Sequence, residues 1–153
     1  MIRATILSIG RFGRGPERDL FDAYLKRLSW PCELLELEDR KGGSDIERNQ
    51  RENALLRQKA EGHDAIIALD ESGKLLDSRG FARLLQGYAD TGRRRLAILI
   101  GGADGLDAET RAMADLTISL GRLTWPHLLV RALLAEQLYR ASAILSGHPY
   151  HRD

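Results

Sequence analysis

Short apolar runs alternate along this chain with longer segments in which apolar residues recur every three or four positions. The short runs read as strands over Arg3 to Ile9, Glu33 to Leu37, Ala65 to Asp70, Leu96 to Ile100 and Leu116 to Ser119. Helical segments fill the gaps between them, and that alternation is the order of an α/β protein with a largely parallel sheet.

The first helix begins near Pro16, whose fixed φ suits an N-terminal turn, and carries Leu20, Phe21, Tyr24, Leu25 and Leu28 as a core-facing stripe. Charged residues dominate from Ser44 to Ala60, so that helix is expected on the outside with Ile46, Leu55 and Leu56 turned inward. Before it, Lys41-Gly42-Gly43-Ser44 reads as a mobile loop. A further helix is expected from Ser78 to Tyr88. The last runs from Leu128 to Leu145, and its face of Val130, Leu133, Leu134, Leu138, Ala141 and Leu145 is wide enough for both a core and a partner. Glu136 and Arg140 stand four apart there, with the acid N-terminal.

The chain has 153 residues, which suits one domain spanning 1–153. With 43% hydrophobic and 29% charged residues it has the balance of a soluble globular protein. No signal-peptide pattern or membrane-length apolar run is present, and the single cysteine, Cys32, reads as a small buried hydrophobe. A cytoplasmic location with no membrane partner is the expectation. The net charge of +1 does not announce a nucleic-acid binder, but Arg11, Arg14 and Arg18, Arg93 to Arg95, and Arg140, His148, His151 and Arg152 form local basic groups.

Three irregular segments follow apolar strands in the second half: Leu69-Asp70-Glu71-Ser72-Gly73-Lys74, Ile100-Gly101-Gly102-Ala103-Asp104-Gly105 and Leu120-Gly121-Arg122-Leu123-Thr124-Trp125-Pro126. Loops beyond the carboxyl ends of strands form the ligand crevice of open α/β sheets. Gly101-Gly102 lets a ligand approach the backbone, but the segment lacks both the P-loop ending and the dinucleotide spacing, so a nucleoside without polyphosphate fits better. His148-Pro149-Tyr150-His151-Arg152-Asp153 concentrates stacking, proton-handling and phosphate-binding groups at the end of the chain. No metal-ligand set accompanies them, and no metal is expected. His127, after Pro126 at a helix start, reads as a structural hydrogen-bonding residue.

Taken together, Leu69-Asp70 with Gly73-Lys74, Ile100-Gly101-Gly102 with Gly105-Leu106, Leu123-Thr124-Trp125-Pro126-His127 with Val130-Arg131, Glu136 to Arg140, and His148-Pro149-Tyr150-His151 closely resemble the RlmH family. These are SPOUT-superfamily enzymes that methylate N3 of a pseudouridine in 23S ribosomal RNA from S-adenosylmethionine. The resemblance covers the whole chain and implies a homodimeric α/β domain with a deep C-terminal trefoil knot, an exception to the usual unthreaded connections. It places the cofactor against Leu69, Gly101, Gly102, Leu120, Gly121, Arg122, Leu123, Thr124 and Trp125. It assigns Arg140, Tyr150 and His151 to the chemistry on the substrate side and Arg152 to substrate binding. The sequence departs from common members at Ala103-Asp104 and at Trp125, and Gly121-Arg122 falls in a variable part of the loop.

Transfer of a methyl group to N3 requires in-line positioning and loss of the N3 proton, for which His151 is the candidate base and Arg140 the candidate anion stabiliser. The near-neutral charge points to the assembled ribosome rather than naked RNA as the substrate. Two other classes remain compatible with the residues. One is a regulatory nucleotide-binding module, distinguished by the absence of turnover; the other is an assembly factor without cofactor that docks through Arg93 to Arg95 and the tail.

Overall fold

Residues 1–153 are described by a computed structural model. The elements run β1 (Arg3–Ile9), α1 (Pro16–Arg27), β2 (Cys32–Leu37), α2 (Asp45–Ala60), β3 (Ala65–Leu75), α3 (Ser78–Asp90), β4 (Arg95–Ile100), α4 (Ala108–Met113), β5 (Leu116–Ser119) and α5 (His127–Ser146). All strand pairings are parallel, in the order β2-β1-β4-β3-β5. Every strand therefore ends at the same edge, and the segments after β4, β3 and β5 lie side by side there.

Alternation along the strands divides the core between the two faces. Ile6, Ile67 and Ile98 join the larger cluster, of 22 residues, under α1, α3 and α5, while Leu7, Ala68 and Leu99 join one of nine under α2 and α4. The thin side explains an unexpected feature of α2. Its buried residues are Glu52, Asn53, Leu56 and Ala60, whereas Ile46 is 73% exposed and Leu55 only half-buried. Of the expected inward set Leu56 is fully buried and Ile46 and Leu55 are not, because half of this face binds a loop rather than a sheet. Arg51 donates to the carbonyls of Lys41 and Gly42, so the glycine segment expected to be mobile is tied to α2.

Other expectations are corrected at the edges of elements. Leu20 and Leu145 lie on the exposed margins of their helices. Cys32 opens β2 half-buried, and burial pushes its thiol up to about 12, which keeps it protonated. The segment Asp70 to Lys74 is no open loop: β3 continues to Leu75 across a register shift between Leu69 and Lys74. A Cβ on Gly73 would lie 2.5 Å from the Ile118 carbonyl carbon, so only glycine permits that approach of β3 to β5. The short α4, capped by the Asp107 side chain on the Thr110 amide, follows too few periodic residues to be read from sequence.

Candidate functional site

The irregular middle of β3 and the loops after β4 and β5 enclose a cleft of about 530 Å³, within the range of small-ligand sites. Leu69, Gly101, Gly102, Leu120, Gly121, Leu123, Thr124 and Trp125 all line it. Arg122 does not: it is exposed and outside the lining. Asp70, in a segment expected at the crevice, lines it too, whereas Ser119, His127 and Val130 were not assigned to the site from sequence.

The β4 loop is a tight hairpin closed by an antiparallel bridge between Gly102 and Gly105, with the Gly105 amide donating to the Gly102 carbonyl at 3.0 Å. Gly105 needs its φ of 72°, a left-handed conformation open to glycine at little cost. A Cβ on Gly101 would meet the Gly105 carbonyl carbon at 2.7 Å. Gly101 is therefore required first by the hairpin and only through it by a ligand.

Helix α2 clamps this hairpin from behind. Asn49 and Asn53 donate their Nδ2 groups to the Gly105 carbonyl at 3.1 and 3.3 Å, and the Asp107 amide donates to Asn53 Oδ1 at 3.0 Å. Arg57 donates to Asp107 and to Thr110 Oγ1, and Arg48 reaches Asp104. The signal available in the sequence was the pair of asparagines four apart on a helix with few apolar residues.

On the opposite wall, His127 Nε2 lies 3.1 Å from the Ile9 carbonyl. The same nitrogen lies 3.4 Å from Arg131 Nη2, so Nε2 meets both a carbonyl that only accepts and a guanidinium that only donates. Burial, reinforced by the charge of Arg131, depresses the His127 pKa and keeps the ring neutral. Arg131 is fully buried, donates to the Ile9 and Gly10 carbonyls at 2.9 and 3.0 Å, and stacks over Phe12. It fixes the end of β1 beside the cleft.

The C-terminal segment is docked rather than frayed. Tyr150 packs edge-on against Tyr139 at 4.7 Å, lies beneath the Arg140 guanidinium, and donates its hydroxyl to Glu136 Oε1 at 2.9 Å. Burial, followed by the hydrogen bonds to Tyr24 and Glu136, raises the Tyr150 pKa, so the phenol stays protonated. Arg140 donates to Glu136 Oε1 at 3.0 Å and to His151 Nδ1 at 3.1 Å, while His151 Nε2 faces Asp153 at 3.3 Å. Asp153 in turn holds Arg79 through two hydrogen bonds. Arg152 is exposed. The structure thus brings Arg140, Tyr150 and His151 together but not to the cleft, whose lining contains nothing beyond Val130. Ten residues of helix separate Val130 from Arg140, about 15 Å along the axis.

Of the basic groups, Arg93 and Arg95 are spent on Asp115 and Asp64 at the amino edge of the sheet, opposite the cleft. Arg94 between them is exposed and makes no ion pair.

Comparison with known proteins agrees with this geometry. Residues 2–151 match the family model described as a predicted SPOUT methyltransferase. Proteins named ribosomal RNA large subunit methyltransferase H from Rhizobium etli and Zymomonas mobilis are 50% and 47% identical, with 99% of this chain and 99% of each relative covered. Among solved structures, a probable methyltransferase from Bordetella pertussis aligns with a TM-score of 0.59 at 17% identity, over 92% of this chain and 96% of that one. A putative methyltransferase from Legionella pneumophila, solved with bound S-adenosylmethionine, aligns at 0.51 and 11% identity over 94% of this chain and 66% of that one. The fold, the full-length family match and the near-half identity to whole relatives together establish that this chain belongs to the SPOUT methyltransferase family.

Proposed function

We propose that this protein methylates N3 of a pseudouridine in 23S ribosomal RNA, using S-adenosylmethionine, on the assembled ribosome and as a homodimer. The observation that carries the reading is the glycine hairpin wall of a nucleoside-sized cleft, held from behind by Asn49 and Asn53. Gly101, Gly102 and Gly105 line the cleft without side chains, leaving main chain exposed to close approach by an adenosine moiety. Leu69, Leu120 and Trp125 offer apolar contacts to such a ligand, and Gly101, Gly102, Gly121, Leu123 and Thr124 complete the cradle. When bound, the cofactor supplies a methyl group already activated on a sulfonium. The residues of the chain then have to position the nucleophile, exclude water and receive one proton.

Positioning explains the dimer. Nucleophile and methyl carbon must meet at about 3–3.5 Å, yet the Arg140–Tyr150–His151 cluster is remote from the cleft of its own chain. A second copy, bringing its tail to the first copy's cleft, completes the site. An apolar groove of about 450 Å³ between α3 and α5, with Leu75 50% and Trp125 39% exposed at its mouth, supplies an area for pairing. In the composite site His151 receives the N3 proton after releasing its bond from Arg140, and the freed Arg140 guanidinium stabilises the anion. Tyr150 stacks on or orients the base, and Arg152 contacts phosphate. The trefoil knot belongs to the same reading, since a threaded C-terminus would hold the β5 loop firmly over the cleft. The test is labelled methyl transfer to ribosomes lacking the modification, compared with naked 23S RNA. Incorporation into ribosomes alone is the expected result, and equal incorporation into naked RNA would contradict the assembled-ribosome substrate.

A further inference from the structure

Arg27 closes the last turn of α1, where a cation ordinarily faces the free carbonyls of a helix end. Its side chain goes elsewhere. The guanidinium carbon lies over the rings of Tyr139, Tyr150 and Tyr24, at 4.3, 5.2 and 5.8 Å from their centres, and Nη2 donates to the Tyr139 hydroxyl at 3.1 Å. Tyr139 belongs to α5 and Tyr150 to the docked tail, so Arg27 joins α1 to the residues assigned to the substrate side.

No carboxylate answers this cation. Around the tail, Arg140 is committed to Glu136 and His151, and Arg79 to Asp153. Arg27 is exposed, has no ion pair, and makes no hydrogen bond beyond the one to Tyr139. A guanidinium whose face rests on aromatic rings is fixed in direction while N–H groups on its edge stay free to donate, the arrangement that recognises the paired oxygens of a phosphate. Lys26, beside it on the same turn, is exposed and makes none of these contacts.

We infer that Arg27 binds a backbone phosphate of the substrate RNA beside the target nucleotide, which makes α1 part of the substrate side. The inference rests on the function proposed above. A base presented to His151 carries its phosphates one ribose away, and Tyr150, the neighbour of His151 in the chain, is one of the rings beneath Arg27. Arg27 and Arg152 are the arginines of this region without a carboxylate, and a nucleotide within a strand is flanked by two phosphates. Such contacts fix register and orientation rather than sequence, which is what a base held for in-line attack requires. A carboxylate from a second copy has the other suitable chemistry. The groove that supplies the pairing area includes no residue of α1, however, and leaves Arg27 open to RNA.

The experiment measures binding to ribosomes lacking the modification, and their methylation, across a salt series for the full-length protein, Arg27→Gln, Arg27→Lys and the control Lys26→Gln. Each phosphate contact adds about one to the slope of log affinity against log salt. Arg27→Gln should therefore bind with a slope smaller by about one, and its KM should rise about tenfold while kcat stays within about twofold. Arg27→Lys keeps the charge and should keep the slope, losing only the part of the affinity that the planar fork supplies. Lys26→Gln should leave slope and KM unchanged, and cofactor affinity and mass by light scattering should be the same in all. An unchanged slope in Arg27→Gln would overturn the inference. So would a fall in kcat at constant KM, which would make Arg27 only a support for Tyr150, or an equal loss in Lys26→Gln, which would make the effect one of general charge. A change in mass would overturn it too, by placing a second copy's carboxylate against Arg27. Absence of methyl transfer by the unaltered protein would sink the proposed function, whereas the slope, read from binding, tests the phosphate contact by itself.

Discussion

Gly101 and Gly105 oppose each other so closely that a Cβ on the first would stand 2.7 Å from the carbonyl carbon of the second. Gly101→Ala must therefore open the hairpin, whether or not a ligand is present. The expected result is a folded protein destabilised by roughly 1–3 kcal/mol, as for other overpacked sites, with cofactor affinity reduced at least about tenfold. Thermal melting and calorimetry on the same preparation separate the two effects. Unchanged affinity in a folded variant would put the cofactor elsewhere.

Removal of Tyr150 to Asp153 should abolish methylation while leaving cofactor binding near its original strength, because no residue of that segment lines the cleft. The loss of Tyr150 from Tyr139 and Glu136 should cost stability on the order of 1–3 kcal/mol, more than a frayed tail would. If the site is shared between protomers, mixing this truncation with Gly101→Ala should restore activity, since each mixed dimer holds one intact cleft facing one intact tail. Failure of exchanged mixtures to regain activity would mean that each chain works alone.

His127 supplies a pH dependence with a definite sign. Its folded pKa lies below the unfolded value of 6.5, so it takes up a proton more readily when unfolded. The stability it confers is present above pH 6.5 and is lost as pH falls through that value toward the depressed folded pKa. Between pH 7.5 and 5.5 the melting temperature of the unaltered protein should fall further than that of His127→Gln. Parallel curves would show that the ring is not held neutral in the cleft wall.

The strand order of events along the chain was legible because fully buried parallel strands are nearly continuous apolar runs, as in Leu96 to Ile100. Most of the cleft was legible too, since glycines and short loops after such strands mark the carboxyl edge of the sheet. Helix α2 was legible as an outer helix with Leu56 inward, but its hairpin-clamping face was not, because periodicity identifies apolar faces and that face is made by Asn49 and Asn53. The course of Asp70 to Lys74 was hidden because a strand crossing a register shift resembles a loop in composition. Nor could sequence spacing show that Arg140 and His151 sit apart from the cleft of their own chain, a fact of three-dimensional direction along α5.

The most direct test of the account is to incubate the protein with isotopically labelled S-adenosylmethionine and ribosomes lacking the modification, then digest the 23S RNA and locate the label by mass spectrometry. The account predicts a single methyl group on N3 of one pseudouridine. Label on another atom or another nucleotide, or no label in RNA while the cofactor binds, would contradict it.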